Sequence, residues 1–155
     1  MSEVWKPHVT VAAIIEREGR FLLVEEEVLD DQGSTVIRYN QPAGHLDEGE
    51  SLVQACAREV LEETAWHFTP RQLVGIYQWR PPTRHLTYLR FAYCGTLGEH
   101  DADRPLDDGI RRALWLTPAE IHALRDRHRS PLILQCIEDY QAGRRYPLEL
   151  VNHYD

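Results

Sequence analysis

Three glutamates, Glu59, Glu62 and Glu63, stand at i, i+3 and i+4 in the segment Arg58-Glu59-Val60-Leu61-Glu62-Glu63. On an α-helix that spacing puts all three carboxylates on one face, where like charges repel by about 0.2–0.5 kcal/mol per pair. Such a face is tolerated in three ways. It can be solvated, it can pair with arginines elsewhere in the chain, or it can hold a cation. The third is the chemically productive one. Magnesium is bound through carboxylate oxygens in octahedral geometry and keeps several waters, so one helical face can supply two or three ligands. Without the ion, mutual repulsion raises some of the carboxyl pKa values; with it, all three ionise.

The elements that must position these acids are readable from pattern. Ser51 with Gln54 three residues on fits a capping box, so the helix opens there and runs to about Ala65. Val53, Cys56, Ala57, Val60 and Leu61 form its apolar stripe. Before it, Asn40 to Gly49 is a loop punctuated by Pro42, Gly44 and Gly49. His8 to Glu27 reads as one hairpin turning at Arg17-Glu18-Gly19-Arg20, and Thr35 to Tyr39 as a short strand. Leu73–Trp79 and Leu86–Leu97 form a second hairpin around the breaker Pro81-Pro82, and Arg111–Leu116 is a late strand. Thr117-Pro118 and Ser130-Pro131 open two further helices, the second running to about Gln141. The tail from Arg144 is too short for another sizeable element. Strands and helices mix without βαβα alternation, which favours an α/β (α+β) domain with a mixed sheet covered by helices, one domain spanning residues 1–155.

What precedes the acidic helix makes the pattern specific. From Gly44 there are five residues to Glu50, seven more to Arg58, then Glu59, aliphatic Val60, Leu61, Glu62 and Glu63. This closely resembles the Nudix box, in which glycine, glutamate and an Arg-Glu-aliphatic-any-Glu-Glu run recur at those spacings. Two positions depart, Ala65 for glycine and Trp66 for an aliphatic residue, and they bear on the helix exit rather than on the ligands. Outside the box, Lys6–Ala12, Asn40–Leu46 and the tail Arg129–Pro131 through Tyr146–Glu149 resemble the bacterial NudJ-type phosphatases. The resemblance implies a Nudix α/β/α sandwich. It implies a hydrolase of hydroxymethylpyrimidine pyrophosphate, thiamine pyrophosphate or nucleoside di- and triphosphates. It implies Glu59, Glu62 and Glu63 as magnesium ligands, with the Gly44 carbonyl as a further ligand and manganese as a possible substitute. Glu50 would pair with Arg58 and hold the loop to the helix.

The remaining composition is consistent with that. A net charge of −8 argues against a nucleic-acid polymer as partner, but not against a small anion, because a bound metal inverts the local sign. Lys6 is the only lysine; the other sixteen basic residues are arginines, which suit bidentate phosphate contact or reflect codon bias. No apolar run reaches bilayer length and the N-terminus shows no leader pattern, so a cytoplasmic protein without membrane contact, monomeric or homodimeric, is expected. Cys56, Cys94 and Cys136 sit in apolar contexts and read as buried free thiols in a reducing compartment. No zinc spacing links the histidines, and His45 is a loop residue.

The expected reaction is attack of water on a diphosphate phosphorus. Arg58 supports the catalytic carboxylates, and Glu59 or Glu62 is the general base. A further acid could come from the long loop carrying Glu99, Asp101, Asp103, Asp107 and Asp108, the last two being favoured. Tyr39, Gln41 and Arg90 are the candidate substrate contacts, with Trp79 and Tyr88 nearby on the second hairpin. Arg90 stands in an apolar strand, where an unpaired charge is costly; a phosphate or a buried acid would satisfy it. Two alternatives remain open. One is an ADP-ribose pyrophosphatase, for which Pro82 lies at a suitable distance past the box. The other is a non-catalytic nucleotide-binding module, which would be expected to have lost box acids.

Overall fold

The computed structural model describes residues 2–155. Helix α1 (Leu52–Thr64) carries the acidic face, and its start is set by the expected capping box. Ser51 Oγ accepts from Gln54 N–H at 3.1 Å, and Gln54 Oε1 accepts from Ser51 N–H at 2.9 Å. Two otherwise orphaned donors are thereby satisfied. The helix stops at Ala65, which adopts the left-handed conformation (φ 63°, ψ 13°) and donates its N–H to the Leu61 carbonyl. The buried side of α1 is turned slightly from the expected stripe: Ala55, Cys56 and Val60 are covered, whereas Ala57 and Leu61 are only half-buried.

Among the described residues there are nine strands, in chain order β1 (His8–Ala13), β2 (Glu16–Arg17), β3 (Arg20–Leu29), β4 (Thr35–Asn40), β5 (Ala43–His45), β6 (Trp66–Trp79), β7 (Tyr88–His100), β8 (Ile110–Leu116) and β9 (Tyr146–Pro147). They form two sheets. The mixed one runs β5-β1-β7-β6-β9, with β1 and β7 parallel; the other is antiparallel, β2-β3-β4, with β8 on the second edge of β3. The expected hairpin over His8–Glu27 is therefore wrong in one respect. The turn at Glu18-Gly19 does join β2 to β3, but β1 belongs to the other sheet, and the chain crosses between sheets at the buried Ile14-Ile15. A local pattern shows strands and turns; it does not show which neighbour a strand chooses.

The continuous apolar run Phe21–Val24 is explained by this crossing. Phe21 and Leu23 face one core cluster and Leu22 the other, so both faces of β3 are covered. α1 packs on one side through Ala55, Cys56 and Val60. On the other side, α2 (Pro118–Ala123) supplies Ile121, and α3 (Leu132–Gln141) supplies Ile133, Cys136 and Ile137. This is the expected helix-covered mixed sheet. All three cysteines are buried and free. β6 begins seven residues earlier than the apolar pattern indicates, at Trp66, because Trp66–Pro70 pairs through bulges with the far end of β7. The tail adds β9 and a short 3-10 turn over Leu148–Leu150. No helix among the described residues is long and apolar enough to cross a membrane.

Ala65 holds a left-handed backbone position that costs a non-glycine residue roughly 1 kcal/mol or more. Ala65→Gly should therefore stabilise the fold by about 0.5–1 kcal/mol, read as a higher midpoint in urea unfolding with an unchanged slope.

Candidate active site

The loop before α1 is fastened to it by one guanidinium. Arg58 Nε and Nη2 donate to the two oxygens of Glu50 at 3.0 and 2.7 Å. Nη1 donates to Glu59 Oε1 at 2.8 Å and Glu62 Oε2 at 3.1 Å, and Nη2 also reaches the His45 carbonyl at 2.9 Å. Charge-assisted forks of this kind fix both distance and plane. Gly44 then lies so close to Glu59 that a Cβ there would overlap its carboxyl carbon and Oε1. Glycine at that position is a matter of space for the carboxylate. Glu63 is anchored from the other side, its Oε1 accepting from Ala43 N–H at 2.8 Å.

The acids come together around α1, though not in the grouping expected from the helix alone. Ligand oxygens of Glu59, Glu62 and Asp107 lie within 4.8 Å of one another. Asp107 was among the favoured loop acids, and its N–H donates to the Glu62 carbonyl at 3.0 Å. Glu63 is outside that trio and lines the cleft with Glu26. Burial pushes the Glu63 carboxyl up to about 9; the Ala43 N–H opposes the rise, while Glu26, Glu59 and Asp107 add to it. Burial likewise raises Glu59 to about 7 against the pull of Arg58, with Glu62 and Asp107 adding repulsion. One arginine does not balance so many carboxylates. A divalent cation fits this donor set: it is all oxygen, crowded, and close to the roughly 4 Å that opposite ligands span around magnesium.

Glu59 and Glu63, with Glu26, line a cleft of about 630 Å³ between the two sheets. Arg90 lies in its wall and is 6% exposed. Its Nη1 donates to Gln41 Oε1 and its Nη2 to Asn40 Oδ1, each at 2.9 Å. Both partners are neutral, and no ion pair involves Arg90 among the described residues. Gln41 is buried and donates its amide to the Ile133 carbonyl at 2.9 Å, so it positions Arg90 and does not line the cleft. Tyr39 is also away from the cleft. It lies on the opposite face of β4 from Asn40, with its hydroxyl donating to Glu25 Oε2 at 2.8 Å. Asp108 is exposed and outside the acidic trio.

Sequence reading passed over several cleft residues, Asn40, Arg129 and Glu26 among them. Asn40 and Arg129 line it, and Glu26 lies beside Glu63, bonded to Arg129 Nη1 at 2.9 Å. The available signal for Glu26 was its place in the run Glu25-Glu26-Glu27 at the end of an apolar strand. Alternation sends Glu26 to the cleft side and Glu25 to the Tyr39 side.

The NUDIX domain family model matches residues 6–135. The chain belongs to the Nudix family. Phosphatase NudJ of Escherichia coli K12 is 39% identical over 152 residues, covering 98% of this chain and 95% of that protein. The solved structure of a NUDIX hydrolase from Nitrosomonas europaea is 53% identical, with a TM-score of 0.91 over 96% of this chain and 98% of its own. An ADP-ribose pyrophosphatase from Streptococcus suis, 19% identical with a TM-score of 0.60 over 97% of both chains, shares the fold. This Nudix protein is thus a hydrolase similar to the NudJ phosphatase, acting on small molecules.

The clamp makes a pH-dependent prediction. The Arg58 bonds hold the Glu50 carboxyl below its ordinary 4.5, with burial opposing. Its contribution to stability is complete above about pH 4.5 and is lost as pH falls through the lower, folded value. Glu50→Gln should cost about 1–3 kcal/mol at pH 7. The gap to the wild type should narrow below pH 4.5 in urea unfolding.

Proposed function

We propose that the protein is a magnesium-dependent pyrophosphohydrolase. It would cleave a phosphoanhydride bond in a nucleoside di- or triphosphate or a thiamine-type pyrophosphate, in the cytoplasm. The observation that carries this reading is an excess of carboxylates, Glu59 grouped with Glu62 and Asp107 and lining with Glu63 the same cleft as a buried Arg90 that has only neutral partners. A cation satisfies the first and an anion the second, and a metal–diphosphate supplies both.

In this reading Glu59, Glu62 and Glu63 would hold the ion with the Gly44 carbonyl, and Asp107 joins them. A magnesium ion held by these residues would supply charge neutralisation at the anhydride and a coordinated water of lowered pKa. Arg58 keeps the Glu59 and Glu62 carboxylates in place. Arg58 engages Glu59 Oε1 and Glu62 Oε2, so each of these two candidate bases keeps one oxygen, Glu59 Oε2 or Glu62 Oε1, to accept the proton of the attacking water. Arg90 offers its remaining N–H groups to a phosphate oxygen, already aimed by Asn40 and Gln41, so little reorganisation is needed.

Glu62→Gln should lower metal-dependent phosphate release by about 100-fold or more. Its circular dichroism and unfolding midpoint should stay near wild type, and chelation should abolish wild-type activity until magnesium or manganese is restored. Unchanged activity in this variant would remove the ligand assignment. Pro82 lines the cleft, which keeps ADP-ribose as a second reading. A panel of ADP-ribose, thiamine pyrophosphate, hydroxymethylpyrimidine pyrophosphate and nucleoside triphosphates separates them; preference for ADP-ribose by a wide margin would displace the phosphatase reading.

A further inference from the structure

The mouth of the cleft has two lips, one from each sheet. In the mixed sheet the lip is the connection between β6 and β7, where Pro81, Pro82, Thr83 and Arg84 line the cleft. It is braced. Arg84 N–H donates to the Pro81 carbonyl at 3.3 Å, and two consecutive prolines fix φ. His8 at the start of β1 holds its base, donating its N–H to the Thr87 carbonyl at 2.8 Å. The facing lip is the tip of the β3–β4 hairpin, from which Val28, Leu29, Asp30, Asp31 and Val36 line the same cleft.

This second lip has far less support. β8 accompanies β3 only as far as Glu26, opposite Ile110, with one further backbone bond from Glu27 N–H to the Gly109 carbonyl at 2.8 Å. β4 is held at its base, where the Tyr39 carbonyl accepts from Arg129 N–H at 2.9 Å. From Val28 to Val36, backbone bonds among the described residues run only within the hairpin. Two strands alone are marginally stable in water. The place where the hairpin leaves its sheet is also irregular, because the β3–β8 register shifts between Glu25 and Glu26. A bulge bends a strand and interrupts its ladder, which suits a hinge. The turn at the far end is stiff: Asp30 Oδ1 accepts from the N–H groups of Gln32 and Ser34 at 2.9 and 2.8 Å, so the hairpin tip moves as one body. The two lips meet through one exposed contact, in which Thr83 Oγ1 donates to Asp31 Oδ2 at 3.5 Å. A hydrogen bond of that length in water contributes little and parts easily. Leu29 beside it is 68% exposed.

We propose that the β3–β4 hairpin beyond Glu26 is a flap over the cleft, hinged at the Glu25–Glu26 bulge and latched by Asp31 against Thr83. Parting the latch admits the ligand. Closure brings Val28 and Val36 against it and limits the water around it. The inference rests on the pyrophosphohydrolase reading for what the cleft admits; the hinge and the latch stand apart from that reading.

Two measurements test it. In amide hydrogen exchange without ligand, the bonded amides of the hairpin from Val28 to Val36 should exchange together, at least about ten-fold faster than those of Phe21 to Val24 on the same strand. The double variant Asp31→Cys/Thr83→Cys is then joined by a short bis-methanethiosulfonate linker that reductant removes; Cys56, Cys94 and Cys136 are buried and out of its reach. Stopped-flow tryptophan fluorescence follows binding of α,β-methylene-ADP with magnesium, a ligand that resists hydrolysis, with Trp79 in the cleft wall as reporter. Linkage should slow association by at least about ten-fold, and reduction should restore the rate. Asp31→Ala should speed release while leaving circular dichroism unchanged. Two cysteines that cannot be joined, a linked protein that binds at the unlinked rate, or hairpin amides that exchange no faster than Phe21 to Val24 each overturn the proposal. If the unlinked protein binds no such ligand, the pyrophosphohydrolase reading falls, and exchange with cross-linking decides the flap by itself.

Discussion

Most of the site hangs on how one guanidinium distributes its hydrogen bonds. Arg58 faces Glu50 with a two-pronged fork and still reaches Glu59, Glu62 and the His45 carbonyl. Glu50 belongs to the loop and His45 to the end of β5; Glu59 and Glu62 belong to the helix. Without that fork the loop would have no fixed height above α1, and Gly44 would have no reason to lie against the Glu59 carboxyl. A lysine could not do this, because a point charge lacks the planar donor set. The interaction is half-buried, so it is stronger than a surface ion pair while avoiding the full desolvation cost of a deep one.

The second constraint is electrostatic and runs across the cleft. Glu63 and Glu59 are buried where ionisation is unfavourable, and Arg90 is buried where its charge has only two amide oxygens and the Cys136 thiol to rest against. A fold tolerates such groups when neighbours over-determine them. Here Ala43 N–H, Arg58, Asn40 and Gln41 do so, each through a bond of 2.8–2.9 Å. The two sheets make this possible: the acids sit at the edge of α1 and β5, and Arg90 sits on β7 two strands away in the mixed sheet. Arg90 comes from the long β6–β7 hairpin, which supplies none of the acids.

Much of this was legible in the residues. The capping box at Ser51 and the end of α1 at Ala65 follow from local spacing, which is what a helix and its flanking loop obey; the Glu50–Arg58 pair was implied by the family resemblance that the box spacing carries. The left-handed turn at Ala65 was legible as a departure, since a glycine position occupied by alanine marks the place where backbone conformation matters more than side chain.

What only the tertiary structure decided was everything that depends on which strand lies beside which. β1 left its apparent hairpin partner for β5 and β7, because a strand satisfies its ladder with any edge that also buries its apolar face. That choice placed Thr10, Arg90 and Tyr77 in one row and His8, Tyr88 and Trp79 in another. Tyr39 and Gln41, read as substrate contacts from their nearness in sequence, turned instead to Glu25 and to Ile133 and Arg90. Alternation along β4 sends neighbours to opposite faces, and sequence distance says nothing about which face meets the cleft. Glu26 and Asn40 reached the site by the same rule. The three glutamates on one turn of helix were determined by the sequence alone, and Asp107 was among the loop acids it offered; Glu26, Asn40 and Arg90 came from strands elsewhere in the chain, and only packing could choose them.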